Sequence, residues 1–260
     1  MSWITDQGAQ AAADTVAIGL FEGEGVPAGA PAQVGELLAS GEARASFKSL
    51  ALTHAEGKRW LTVGLGARAD FTAERARVAA AVVRERAREL STKVLCWQAP
   101  DDRDATVAAL VEGTALADYS FDSFKSEQTA DPAHGGGGKA KHLQSLIVSG
   151  TGDCSLLLEQ ARIVSEAVGE ARDLQNRPAN DLTPSALAEH ARKLGEEIEQ
   201  LSVEIEGRSG IEARKMGAFA AVAQGSEQEP ALITLRYEPA GASGPLLGFV
   251  GKAVTFDSGG

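Results

Sequence analysis

Cysteine is scarce: only Cys96 and Cys154 occur, in separate segments, with no C-x-x-C and no neighbouring histidine pair. That excludes a disulfide scaffold and a structural zinc knuckle, and the two thiols are expected to lie free in a reducing cytosol. Positive charge is in deficit, with 25 Lys and Arg against 36 Asp and Glu and a formal net charge of -11. Such a surface repels phosphate backbones and anionic lipid headgroups. The one dense basic run, Arg75, Arg77, Arg84, Arg86 and Arg88, is interleaved with Glu74, Glu85 and Glu89. It reads as a solvated helix face rather than a nucleic-acid site. The opening MSWITDQGAQ lacks the basic start and apolar stretch of a secretory signal. No later run approaches the roughly 18 to 20 apolar residues that span a bilayer, so the expectation is a soluble, cytoplasmic protein. The four histidines, His54, His134, His142 and His190, are scattered, and neither H-E-x-x-H nor G-x-S-x-G occurs. The familiar zinc- and serine-hydrolase signatures are therefore missing, and no nucleophile and base pair is recognisable.

What is present is a chain with 43% hydrophobic residues over 260 positions, enough to bury a core in one large domain or two ordinary ones. Strand patterns at Thr15–Phe21, 47–53, 60–65 and 93–97 alternate with helical patterns at 31–40, 72–90 and 104–119. The second helix opens on a capping threonine, Thr72, with Glu74 in its first turn and apolar positions at Ala76, Ala79, Ala80 and Val83. This alternation predicts an α/β layer with a mostly parallel sheet. The stretch KSEQTADPAHGGGGKAKH, with glycines 135–138, is predicted as a long exposed loop feeding a strand at 144–149.

Residues 154–174 form a long amphipathic pattern, predicted to bridge two domains. Thr183 and Pro184 then suit the N-cap and first position of a helix over 185–199. A strand at 201–206, a short helix ending at Met216 and Gly217, and strands at 231–237 and 246–250 begin a second α/β unit. The expected organisation is thus an N-terminal domain over 1–150, a connecting helix over 151–175 and a second domain from 176 to 260.

Two phosphate-binding patterns fail on inspection. Gly64-Leu-Gly-Ala-Arg-Ala69 resembles a dinucleotide fingerprint, but its helix starts too late to present an N-terminus to a pyrophosphate. Around Gly135 to Lys139 a phosphate loop would need glycine at Ala133 and a hydroxyl at Ala140, and Gly251-Lys252-Ala253 would need glycine at Leu246. The cluster with chemical content is Val250-Gly-Lys-Ala-Val-Thr-Phe-Asp-Ser-Gly-Gly260, where a strand runs into a loop carrying Lys252 and Asp257. Regular pleating at about 3.3 Å per residue would send these two side chains to opposite faces, about 16 Å apart. They share a site only if the backbone bends between them, and an exposed lysine with a turn-forming Asp-Ser-Gly is the alternative.

GKAVTFDSGG resembles the metal-binding GKGxTFDSGG signature of the leucine aminopeptidase, or cytosol aminopeptidase, family. Upstream, Ala171-Arg-Asp-Leu-Gln-Asn-Arg-Pro-Ala-Asn-Asp-Leu-Thr-Pro184 is similar to that family's A-R-D-L-x-N-x-P-x-N-x-x-T-P segment. Lys215-Met-Gly-Ala, Val222-Ala-Gln-Gly-Ser226 and Leu235-Arg-Tyr237 follow its next block in order. Val63-Gly-Leu-Gly66 and Glu112-Gly-Thr-Ala-Leu-Ala-Asp-Tyr119 extend the likeness over roughly residues 58–260.

The resemblance implies a macro-like N-terminal α/β domain and a catalytic α/β domain, assembled as hexamers, that releases N-terminal residues from peptides. It implies two divalent ions, manganese or zinc, with Lys252 ligating one and Asp257 bridging both. Such a pair polarises the scissile carbonyl and activates water. Ala253 replaces the family's second glycine, which matters only if φ there is positive. The family's catalytic lysine, its other carboxylate ligands and its bicarbonate-holding arginine have no counterpart before Gly260, so the 260-residue chain by itself is expected to be inactive and to hold metal weakly. A non-catalytic macro-like binding module is the competing reading.

Overall fold

The computed structural model describes residues 4–6, 12–124, 142–150 and 152–255. The chain forms two compact units, Met1–Asp173 and Leu174–Gly260. The glycine loop at 135–138 and Asp257 lie outside the described residues.

In the first unit, strands β1 (Ile4–Asp6), β2 (Thr15–Phe21), β3 (Leu50–Ala55), β4 (Lys58–Gly66), β5 (Val94–Gln98) and β6 (Ser145–Ser149) build one sheet in the order β1-β6-β5-β2-β4-β3. Every neighbouring pair is parallel except the hairpin β3–β4. Helices α1 (Ala32–Ser40), α2 (Ala73–Glu89) and α3 (Asp104–Asp118) connect the strands. This is the mixed α/β fold that the alternating pattern predicts, since parallel neighbours need a crossover between them.

The strands are buried on both faces, and the side chains divide with a period of two. Ala17, Leu61, Val63, Leu65, Leu95, Trp97, Leu146 and Val148 join α2 and α3 residues in the larger core. Val16, Trp60, Cys96 and Ile147 face the other way with Val34 of α1. Burial pushes the Cys96 thiol up, which keeps it protonated and inert, as the reading of a buried free thiol expects. The long helix α4 (Ser155–Asn176) contributes Leu158 and Ala161 to the larger core of this unit.

The second unit contains α5 (Pro184–Glu197), an antiparallel pair β7 (Leu201–Glu206) and β8 (Leu232–Tyr237), and short helices α6 (Arg208–Ala213) and α7 (Gly217–Ala223). Thr183 caps α5 by accepting the Ala186 N–H at 3.2 Å, with Pro184 at the first helical position, as its sequence indicates.

Residues 246–250 differ from expectation. They carry no regular structure, and Leu246, Leu247, Phe249 and Val250 stand exposed, Phe249 at 93%. An apolar run becomes a strand only when a neighbour takes its N–H and C=O groups, and among the described residues no strand pairs with it. Two elements also went unread: the three-residue β1, whose only described sheet partner is β6, and α7, which follows α6 instead of the chain ending its helix at Met216.

Candidate functional site

The motif that carries the chemistry lies on residues 250–260. Residues 251–255 run irregularly, so Lys252 does not sit on pleated backbone, and its side chain is exposed. Ala253 is absent from the positive-φ residues, which among non-glycines are Lys48, Glu56, Ser91 and Lys215, so alanine is not strained there. Asp257 is outside the described residues. Among the described residues no three His, Cys, Asp or Glu side chains converge, and the donor set for a cation is the Lys252 amine alone. The donor chemistry suits a divalent ion, but the set is incomplete.

The segment Ala171 to Pro184 is held from within. Arg177 pairs with Asp181 four residues on across the turn between α4 and α5, and the Pro178 carbonyl accepts the N–H groups of Asp181 and Leu182, both at 2.9 Å. Before it, the Arg172 guanidinium donates to the Leu116 carbonyl at 3.0 Å, and the Tyr119 hydroxyl donates to Asp173 at 2.9 Å. Two blocks that resemble the family pattern therefore meet at the end of α3.

The block Glu112 to Tyr119 is scaffold. Glu112 accepts Arg77 of α2 at 2.7 Å, Thr114 accepts the Trp97 indole N–H at 3.3 Å, and Asp118 accepts Arg84. Arg84 and Asp118 are both fully buried. Burial pulls the Arg84 guanidinium below its ordinary value while Asp118 pulls the other way. This corrects the reading of the α2 arginines as one solvated face. Arg75, Arg77, Arg86 and Arg88 are ion-paired at the surface with Asp70, Glu74, Glu89 and Glu85, whereas Arg84 lies on the inward stripe with Ala80, Val83 and Ala87.

The glycines of the dinucleotide-like pattern also have structural reasons. A Cβ on Gly64 would lie 2.0 Å from the Ser46 carbonyl oxygen, and Gly66 has φ +75°. Helix α2 starts only at Ala73, and the Arg68 guanidinium donates to both oxygens of Glu24, at 2.5 and 2.7 Å, and so holds that carboxyl below its usual range. The crossing backbones and the turn, rather than a pyrophosphate, require glycine here.

A parallel-sheet α/β unit followed by a second unit that ends in Gly-Lys-x-x-Thr-Phe-Asp-Ser-Gly-Gly defines a two-part α/β class of protein. Residues 17–128 match the cytosol aminopeptidase family N-terminal domain, and residues 170–260 match the cytosol aminopeptidase family catalytic domain. The chain belongs to the cytosol aminopeptidase family. A probable cytosol aminopeptidase of Acidobacterium capsulatum is 36% identical over 243 residues, covering 88% of this chain and 46% of that protein. One of Microcystis aeruginosa is 33% identical, covering 95% and 51%. The chain thus spans about half the length of the curated relatives it matches.

Among solved structures, the bottromycin maturation enzyme BotP in complex with Mn is 26% identical with a TM-score of 0.71, over 88% of this chain and 46% of that one. A mutant of tomato leucine aminopeptidase shares the fold at 23% identity with a TM-score of 0.75, over 92% and 51%.

Proposed function

We propose that this protein acts as a metal-dependent aminopeptidase that releases N-terminal, leucine-type amino acids from peptides. The observation that supports it most is Lys252 and Asp257 standing five apart in an uninterrupted GKxxTFDSGG pattern within the segment that matches the catalytic domain. Lys252 and Asp257 would hold two divalent ions, manganese or zinc, together with ligands from the part of the family's length that these 260 residues do not span. When bound, such a pair supplies a Lewis acid for the scissile carbonyl and an activated water. Lys252 would ligate through the lone pair of its side-chain amine. Asp257 contributes the negative charge that lets two cations approach each other.

The substrates would be peptides with a free N-terminus, the assembly a homo-oligomer, a hexamer by family likeness, and the compartment the cytoplasm. The charge of -11 argues against nucleic acid as a partner. No helix among the described residues is long and apolar enough to cross a membrane.

The test compares the 260-residue chain with one extended to the relatives' full length, by calorimetric titration with zinc and manganese and by hydrolysis of a leucine anilide. The expected outcome is weak metal binding and no hydrolysis for the short chain, and metal-dependent hydrolysis for the extended chain that Asp257→Ala abolishes. Metal-dependent hydrolysis by the short chain, lost in Asp257→Ala, would refute the claim that Lys252 and Asp257 are insufficient. An extended chain that binds no metal and cleaves nothing would favour the binding-module reading.

A further inference from the structure

Where α3 ends and β6 begins, side chains far apart in sequence meet in an arrangement that the metal site does not use. Asp118, the last residue of α3, is fully buried. Its Oδ1 is taken by the buried Arg84 guanidinium and by the Leu143 N–H at 3.4 Å. That leaves Oδ2 to face His142 Nδ1, 3.1 Å away. A carboxylate only accepts, so in the neutral imidazole the proton is on Nδ1 and the lone pair is on Nε2. Nε2 lies 3.3 Å from Ser120 Oγ. This is a nucleophile within reach of a base whose ring a third group orients, the arrangement that activates a serine.

The surroundings favour access. The His142 side chain is 40% exposed and Ser120 is half-buried, so a reagent reaches both while Asp118 stays dry. Next to Ser120 in sequence, Phe121 and Phe124 pair with ring centroids 5.7 Å apart, and Phe124 is 59% exposed, an apolar surface for an alkyl chain. The Ser120 hydroxyl donates to Asp122 Oδ2 at 3.0 Å, so its single proton must turn from Asp122 to His142 Nε2 before it is transferred.

We infer that Ser120 is a nucleophilic serine, with His142 as its base and Asp118 as the positioning residue, and that it takes an acyl group from small hydrophobic activated esters. In the step, Oγ bonds to the carbonyl carbon as its proton passes to His142 Nε2. The C–O bond to the leaving alcohol then breaks, and the departing alkoxide takes that proton. The product is an acyl-serine and a free alcohol, with no oxidant, reductant or metal required.

The test uses an alkyl fluorophosphonate, which forms the Oγ–P bond as fluoride leaves, on the 260-residue chain in EDTA, so that no metal-bound water contributes. The expected result is a single adduct mapped to Ser120 by peptide mass and absent in Ser120→Ala. His142→Ala and His142→Gln should each slow labelling by about a hundredfold, the scale of general-base assistance. Asp122→Asn reports on the competing acceptor: labelling that falls as far with it as with the His142 substitutions would assign the base to Asp122 and overturn the inference. Asp118→Asn, if its thermal transition remains native, should slow labelling and flatten its rise with pH, a change that mere loosening of the fold would not produce. The His142 variants decide the matter should Asp118→Asn not fold. No adduct on Ser120, or a labelling rate that both His142 substitutions leave unchanged, overturns the inference.

Discussion

Replacing Gly113 by alanine tests the packing of α3 on α2 more sharply than any deletion in the core. A Cβ at Gly113 would lie 2.2 Å from the Arg77 carbonyl oxygen, 2.8 Å from its carbon and 2.9 Å from the Ala80 Cβ. No rotamer relieves a clash with backbone, so the helices must separate, at about 1–3 kcal/mol for an overpacked core. Alanine gains about 0.5–1 kcal/mol in helix propensity, which offsets only part of this. The net expectation is a loss of about 1 kcal/mol. Gly169 in α4 supplies the control, because a Cβ there meets nothing nearer than the Tyr119 Cδ2 at 3.9 Å, an ordinary contact. Gly169→Ala should therefore stabilise by about 0.5–1 kcal/mol. Trp60 and Trp97 are buried in the first unit and the second unit has no tryptophan, so the change in tryptophan fluorescence in a urea titration follows the first unit. In thermal melts the two variants should move the midpoint by about 2–4 °C down and about 1–4 °C up. A Gly113→Ala midpoint equal to or above wild type would refute the claim that backbone contact sets this helix crossing.

Asp118→Ala strands the buried Arg84 and should cost about 3–5 kcal/mol, whereas Arg84→Met with Asp118→Leu should recover much of that, both read by denaturant titration. Thr114→Val removes the acceptor of the Trp97 N–H and should cost about 1–3 kcal/mol with a change in tryptophan emission, and Thr114→Ser should restore both. Glu56 and Gly57 form the two-residue β3–β4 turn with φ of 54° and 73°, the primed geometry that asparagine suits, so Glu56→Asn should raise the midpoint by the equivalent of about 0.5 kcal/mol.

The elements with local signals were legible. Thr72 accepts the Arg75 N–H at 3.3 Å, as a capping threonine should, and α2 starts one residue later. The β2 run Thr15–Phe21 holds to the residue because it is mostly apolar and buried on both faces. Elements that depend on a distant partner were not. Strand β1 is three residues long, and residues 246–250 have strand composition without a described neighbour to bond. Arg84 was misread by its charge, although its spacing of four from Ala80 and three from Ala87 already placed it on the inward stripe. Of the candidate metal ligands, Lys252 and Asp257 were legible only through a motif. Spacing alone could not choose between a bent active-site edge and a plain turn.

The residues that follow the family pattern divide by whether the fold itself needs them. Along Glu112 to Tyr119 each polar group named has a structural partner: Arg77 for Glu112, Trp97 for Thr114, Arg84 for Asp118 and Asp173 for Tyr119. The glycines at 64 and 113 are required by backbone approaching within 2.0 and 2.2 Å of where a Cβ would be. Packing accounts for these residue types, for Asp118 through Oδ1, while its Oδ2 faces His142. Residues 250–253 are the opposite case: Val250 and Lys252 are exposed, a Cβ on Gly251 would meet nothing within 4 Å, and Ala253 is unstrained. Neither burial nor backbone conformation within the described fold asks for an amine at position 252. A lysine at position 252 that packing does not explain, in a segment resembling a metal-binding signature, points to the ligand it would hold, which is why metal titration of Lys252 and Asp257 variants tests the proposed function more directly than any measurement of stability.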